Sequence, residues 1–388
     1  MKKQLYFLIL ILALLTKGCI SEFNANLPYE DSQILIVDGS IVGGELVTFY
    51  VGRSFSLDEK YTPAIHTVDA KLVVTGDNGY TSKEAISMGG GYYQLYIDPL
   101  EDEVVYSLKI TTASGEVYES LPGKPLKTPP IDSLSFNQPN GKDVHFYIST
   151  HDTENNENAD YFFWTYRQDW EVKAHYPTGV LFHPDSGYYE GVQNLICWGG
   201  ETKQNILIGS TEALSENRLV NHDFLQETVT HKKFEHLFRI IVTQRAISRE
   251  SYQYYKNKRS INEEMDGLFT PQPSEVKGNI ECITNPDLKV IGYVDVVKNV
   301  SQQTLFVYSY ELNRMVFTPC TLGTLDWLFP PEFEAQPINF YLQGYRPVIR
   351  YLEELEDPEY IVEWAPSECV DCVIAGGSLT KPEGWPRY

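Results

Sequence analysis

The spacing in this chain with the most obvious chemical meaning is Cys369-Val370-Asp371-Cys372, with Cys197, Cys282 and Cys320 far upstream. Paired cysteines exchange electrons when a helix N-terminus depresses one thiol pKa, bind zinc when a second close pair completes four ligands, or form disulfides in an oxidising space. Here the pair sits in a Gly- and Pro-rich tail after Pro366, without a strand-helix-strand unit and without a second close pair. Structural disulfides are the expectation for Cys197, Cys282, Cys320, Cys369 and Cys372, and an odd number leaves at least one of them free.

Other chemical groupings are weaker. His231 and His236 are five apart in strand-like sequence, which is the wrong spacing for two ligands on one helix face. The run Asp152 to Asp160 has oxygens enough for calcium but lacks the sixth-position Gly and closing Glu of an EF-hand, so it reads as a solvated loop. Gly89-Gly90-Gly91 is not followed by the Lys-Ser/Thr pair and helix that a phosphate loop needs. Nucleophile elbows and zinc-protease helices are absent from the sequence. Glycosidase carboxylates need no fixed spacing, and 53 acids give no basis for choosing two. No catalytic residue, metal site or cofactor is therefore assigned. The aromatic side chains Tyr188, Tyr189 and Trp198 flank long loops and are the binding candidates; the alternative, that they pin those loops down, stands beside it.

The elements that must carry these residues are mostly strands. A chain of 388 residues implies more than one domain, and its 27 Tyr and 18 Phe against 4 Met favour β-structure over helical bundles. A net charge of -22 argues against nucleic acid as a partner, because phosphate needs a basic surface. From residue 33 to 123, short apolar runs such as Leu46–Val51, Ala70–Val74 and Tyr106–Thr111 alternate with Gly- and Asn-rich turns, which predicts an immunoglobulin-like β-sandwich. Residues 124–131 (KPLKTPPI) read as a Pro-rich linker. Residues 132–388 form a larger β-rich domain with one helix near 248–265, capped by Ser248 and carrying Tyr252 and Tyr255 on one face as packing anchors, and with the Cys-containing tail.

The N-terminus has an export layout: Lys2 and Lys3, an apolar run Leu5–Leu15 too short to span a membrane, then Gly18-Cys19. It resembles a lipobox, with residues 1–18 as signal peptide, Cys19 as the lipidated residue and 19–32 as tether, although Thr16 and Lys17 depart from the usual residues. Cleavage removes three lysines and no acid, taking the charge from -22 to -25. Acyl chains would then hold the protein at a membrane without a protein span.

Taken in order, several stretches resemble the domain-of-unknown-function 4249 lipoproteins of Bacteroidota. They are Ile36-Val37-Asp38-Gly39-Ser40, Pro129-Pro130-Ile131-Asp132-Ser133-Leu134, Ser248-x-x-Ser251-Tyr252, Pro271-Gln272-Pro273-Ser274, Gly278-Asn279-Ile280 with Cys282 and Asn285-Pro286, and Gly292-Tyr293. Cys369 to Cys372, Gly376-Gly377-Ser378, Lys381-Pro382 and Trp385-Pro386 continue the match to the tail. The resemblance implies an outer-membrane lipoprotein working beside a β-barrel, typically a TonB-dependent receptor, and supplies no catalytic residues; Glu22, soon after Cys19, resembles the acidic export signal of surface lipoproteins and points to a body facing the exterior. The expected function is thus a non-enzymatic accessory subunit of such a barrel, with a surface hydrolase of glycans or peptides and a structural or adhesive module as alternatives.

Overall fold

The computed structural model describes residues 34–54, 66–152, 159–191, 193–229, 232–264, 278–313, 320–323, 337–351 and 360–386. The signal-like segment, Cys19, the tether, most of the Asp152–Asp160 loop and His231 lie outside the described residues.

The first sandwich follows from strict alternation. In Leu46–Arg53 the side chains Val47, Phe49 and Val51 point inward, and in Ala70–Gly76 Leu72 and Val74 do the same. One sheet has the order Val290–Tyr293, Leu35–Asp38, Leu46–Arg53, Tyr92–Tyr96, Ile86–Gly89; the other runs Ile280–Cys282, Val117–Ser120, Tyr106–Thr112, Ala70–Gly76. The two inner faces meet in a core that includes Leu35, Phe49, Leu72, Leu95, Ile110 and Tyr118.

Two of those strands come from far along the chain, which corrects the expectation that 132–388 is one continuous domain. Val290–Tyr293 pairs in parallel with Leu35–Asp38, Ile280–Cys282 pairs antiparallel with Val117–Ser120, and Val296–Val297 pairs in parallel with Ile41–Val42. The physical reason is burial: Ile280, Cys282, Val294, Val296 and Val297 complete the core of the first sandwich. Cys282 is therefore a free, buried thiol and not a disulfide partner. The return is held by close backbone approach. A Cβ on Gly278 would lie 1.7 Å from the Gly292 carbonyl oxygen, and one on Gly292 would lie 2.3 Å from the Val37 carbonyl oxygen. Asn279 completes the corner, its amide donating to the Val294 carbonyl at 2.9 Å and its oxygen accepting from the Val294 N–H at 2.8 Å.

In the second sandwich a sheet of Ile131–Asn137, Asp143–His151 and Arg218–Thr228 faces a sheet ordered Ile196–Ser210, Tyr161–Lys173, Leu237–Ala246, Ser301–Tyr308. Phe146, Ile148, Phe162, Trp164, Phe238 and Val242 fill the space between. Ile131–Asn137 and Asp143–His151 form a hairpin with Gly141, whose φ is +70°, in its turn. At the centre, buried Gln244 accepts from the Trp164 indole at 2.8 Å and donates to the Pro129 carbonyl and the Thr150 hydroxyl, each at 2.9 Å. The Pro-rich linker is thereby fastened to the second core. It also runs beside the returning segment, with Leu126 and Val296 to Asn299 bonded to it through Lys298 N–H to Leu126 O and Asn299 to Thr128.

The helix Arg249–Glu264 starts as expected, with the Ser248 hydroxyl accepting from the Ser251 N–H at 3.0 Å. Tyr252 and Tyr255 are packing anchors, 5.1 Å and 4.6 Å from the rings of Tyr161 and Phe163. Its first turn is tied to the returning segment by the Ser251 hydroxyl, which donates to Asp295 at 2.7 Å; burial holds the Asp295 carboxyl above the ordinary carboxylate range. A second, short helix, Pro337–Leu342, was not expected from the sequence. No helix among the described residues is long and apolar enough to cross a membrane.

Because the Gly278–Gly292 contact leaves no room for a methyl group, Gly278→Ala should lower stability by about 3 kcal/mol in urea denaturation. Gly179→Ala, in open space, should be unchanged within about 0.5 kcal/mol.

Candidate functional site

Tyr161–Lys173 is central in its sheet, so residues of one parity enter the sandwich core and those of the other face outward. Phe162, Trp164 and Tyr166 go inward, while Tyr161 and Phe163 lie under the helix. Further along the same outer face stands Asp169, opposite Arg239 in register and fully buried. Arg239 grips one Asp169 oxygen through Nε at 3.0 Å and Nη2 at 2.6 Å, and Arg167 holds the other at 3.0 Å. Nothing in the sequence brings Arg239 to Asp169; the visible signal was only that Arg167 and Asp169 interrupt an aromatic strand.

The C-terminal tail covers this ion pair. The third guanidinium nitrogen of Arg239 donates to the Glu383 carbonyl at 2.6 Å, and the Trp385 ring lies 5.4 Å from its Cζ. Two disulfides hold the tail: Cys197–Cys372, spanning 175 residues, and Cys320–Cys369, spanning 49. The two cysteines of the Cys-x-x-Cys pair thus fasten to different elements. Ser378 then adds to the free edge of Ile196–Ser210, exchanging both backbone bonds with Trp198 at 2.8 and 2.9 Å.

Between tail and edge strand lies a pocket of about 360 Å³, lined by Arg167, Trp198, Gly200, Glu201, Thr202 and Thr380 among others. Trp198, singled out from the sequence, is here, and its indole N–H is buried without a partner among the described residues. Beside the pocket, Glu201 contacts Lys233 and lies 3.4 Å from Lys203. Burial pushes the Glu201 carboxyl up, but the two ammonium groups outweigh it and hold it below the usual range. Lys203 also reaches buried Glu227 at 2.8 Å, which in turn accepts from Gln168 at 2.9 Å. Burial pushes the Tyr166 phenol above this cluster up to about 12. The chemistry offered is hydrogen bonding and stacking from a rigid floor.

Tyr188 and Tyr189 are elsewhere, on the hairpin Val180–His183 and Gly187–Glu190. Tyr188 rests on Phe182 at 5.2 Å and Trp364 at 6.3 Å while 44% exposed, and Tyr189 is 45% exposed. They form a ledge supported by Trp364 and Phe340. The disulfide-bound tail brings ledge and pocket into one C-terminal assembly, since His175 and Tyr176 donate backbone bonds to the Cys369 carbonyl. A second groove, about 510 Å³, runs beside the helix with Tyr252, Lys256, His222 and Asp223 on its walls, and burial lowers the His222 pKa. No group of three or more His, Cys, Asp or Glu side chains arranged to hold a metal occurs among the described residues.

Comparison with known proteins gives one family. The model of a domain of unknown function, DUF4249, matches residues 20–303. No curated protein matches. Among solved structures, a two-fibronectin-type-III-domain segment from chicken tenascin is similar over 54% of this chain and 88% of that one, at 10% identity and a TM-score of 0.16, which carries no argument about this chain.

Removing Arg239 leaves buried Asp169 with only the solvent-exposed Arg167 as counter-charge, so Arg239→Met should destabilise by about 3 kcal/mol in urea denaturation. The Asp169→Asn/Arg239→Met double variant should recover most of that loss.

Proposed function

From its membership in DUF4249, the family to which this chain belongs, we propose that the protein is a non-enzymatic lipoprotein of a Bacteroidota outer membrane. Lipid on Cys19 anchors it, its body faces the exterior, and it serves as accessory subunit to an outer-membrane β-barrel such as a TonB-dependent receptor. The observation that carries this reading is the disulfide-fastened C-terminal assembly, which presents Tyr188, Tyr189 and the Trp198 pocket from a rigid pair of β-sandwiches. Aromatic side chains on an ordered ledge are suited to protein and ligand contacts at low entropic cost. Two disulfides fit an oxidising compartment outside the cytoplasm.

Binding is favoured over hydrolysis by the state of the carboxylates. Asp169 and Glu201 both line the pocket, yet Asp169 is locked between two arginines and Glu201 between two lysines. A general acid needs a raised pKa, and the Glu201 environment moves it the other way.

Affinity purification of the tagged protein from detergent-solubilised outer membrane should return one β-barrel in stoichiometric amount. Cys19→Ala should abolish lipid labelling and move the protein out of the membrane fraction. Recovery of the protein alone in repeated preparations would sink the accessory role, and an unlabelled wild-type protein would sink the anchor.

A further inference from the structure

The outer face of the first sandwich meets the second sandwich across a cleft of about 490 Å³, within the range of roughly 300–1,000 Å³ typical of small-ligand sites. Arg245 enters from the second sandwich. Its guanidinium lies 4.1 Å over the Phe163 ring, which orients it, but it makes no ion pair or hydrogen bond with any described residue. The Nε–H is buried without a partner among the described residues, and Arg245 lines the cleft. Asp295 feels this charge through space, but its oxygens are engaged by Ser251 and the Ser248 N–H. Glu45 enters from the first sandwich, exposed and likewise unpaired with any described residue. Aliphatic wall is supplied by Val42, Leu46 and Val300.

An unpaired cation, an unpaired anion and aliphatic side chains lining one cleft complement a molecule that carries a carboxylate, an ammonium and hydrocarbon. Thr165, and Thr243 with the Gln302 amide 3.1 Å from its hydroxyl, add neutral hydrogen-bonding groups of the kind that pair with peptide units. We propose that this cleft binds a short apolar peptide with both termini free, Arg245 holding the carboxylate and Glu45 the ammonium. The site lies apart from the Trp198 pocket and does not depend on the anchor or the barrel.

The test is calorimetric titration of the full chain in detergent with trileucine, N-acetyl-trileucine and trileucine amide. Trileucine should bind saturably, and blocking either terminus should weaken binding roughly tenfold. Glu45→Gln should erase the penalty of acetylation while keeping that of amidation, and Arg245→Gln should do the converse. Equal binding of free and blocked peptides, or no saturable binding of trileucine into the millimolar range, overturns the proposal. Should Arg245→Gln fail to fold, Glu45→Gln decides alone, because Glu45 is exposed: an acetylation penalty that persists in that variant also overturns it.

Discussion

Leu35–Asp38 lies between two strands, and one of them reaches it only after the chain has passed through every strand of the second sandwich but the last, Ser301–Tyr308. That parallel pairing, with the equally distant pairing of Ile41–Val42 and Val296–Val297, closes the longest loops among the described strands, and it obliges the chain between residues 38 and 290 to bring its ends together. Closing so long a loop is entropically unfavourable and kinetically late. The first sandwich therefore cannot finish its core until the returning segment has brought Ile280, Val294 and Val296 to it. The two sandwiches share one folding unit although each has its own interior.

Buried polar groups supply the direction that apolar burial lacks. Gln244 joins the linker to the second core, Asn279 sets the corner of the returning segment, and Asp295 fixes the start of the helix. Each would leave orphaned donors or acceptors in any other arrangement, so each excludes alternatives as much as it stabilises this one. The Asp169–Arg239 pair does the same for the tail, whose last turn adds Trp385 over the guanidinium and Phe306 at 5.9 Å.

What the sequence showed was local. Alternation in Leu46–Arg53 and Tyr106–Thr112, the Ser248 cap and the Pro-rich linker are written in neighbouring residues, and the structure has them at those places. The owner of Val290–Tyr293 was not legible, because a strand's period says that one face is buried and not against which sheet. The only nearby cue is the pair Gly278 and Gly292, which reads as a turn residue and a strand irregularity until the two backbones are seen in contact. Disulfide partners were hidden for the same reason: Cys369 and Cys372 are close in sequence, yet one meets Cys320 and the other Cys197. Trp198 was picked out as an aromatic near a loop and does line a pocket, whereas its ionic floor depends on cross-strand register that sequence does not state.

The two disulfides are nested, the span from Cys320 to Cys369 lying wholly inside that from Cys197 to Cys372. A single proteolytic nick anywhere from residue 198 to 371 therefore leaves both fragments covalently joined. The damaged molecule would keep its C-terminal tail joined to the edge strand Ile196–Ser210, and would separate into pieces only on a reducing gel. Durability against cleavage is in this sense built into the order of the cysteines along the chain rather than into the strength of any one contact.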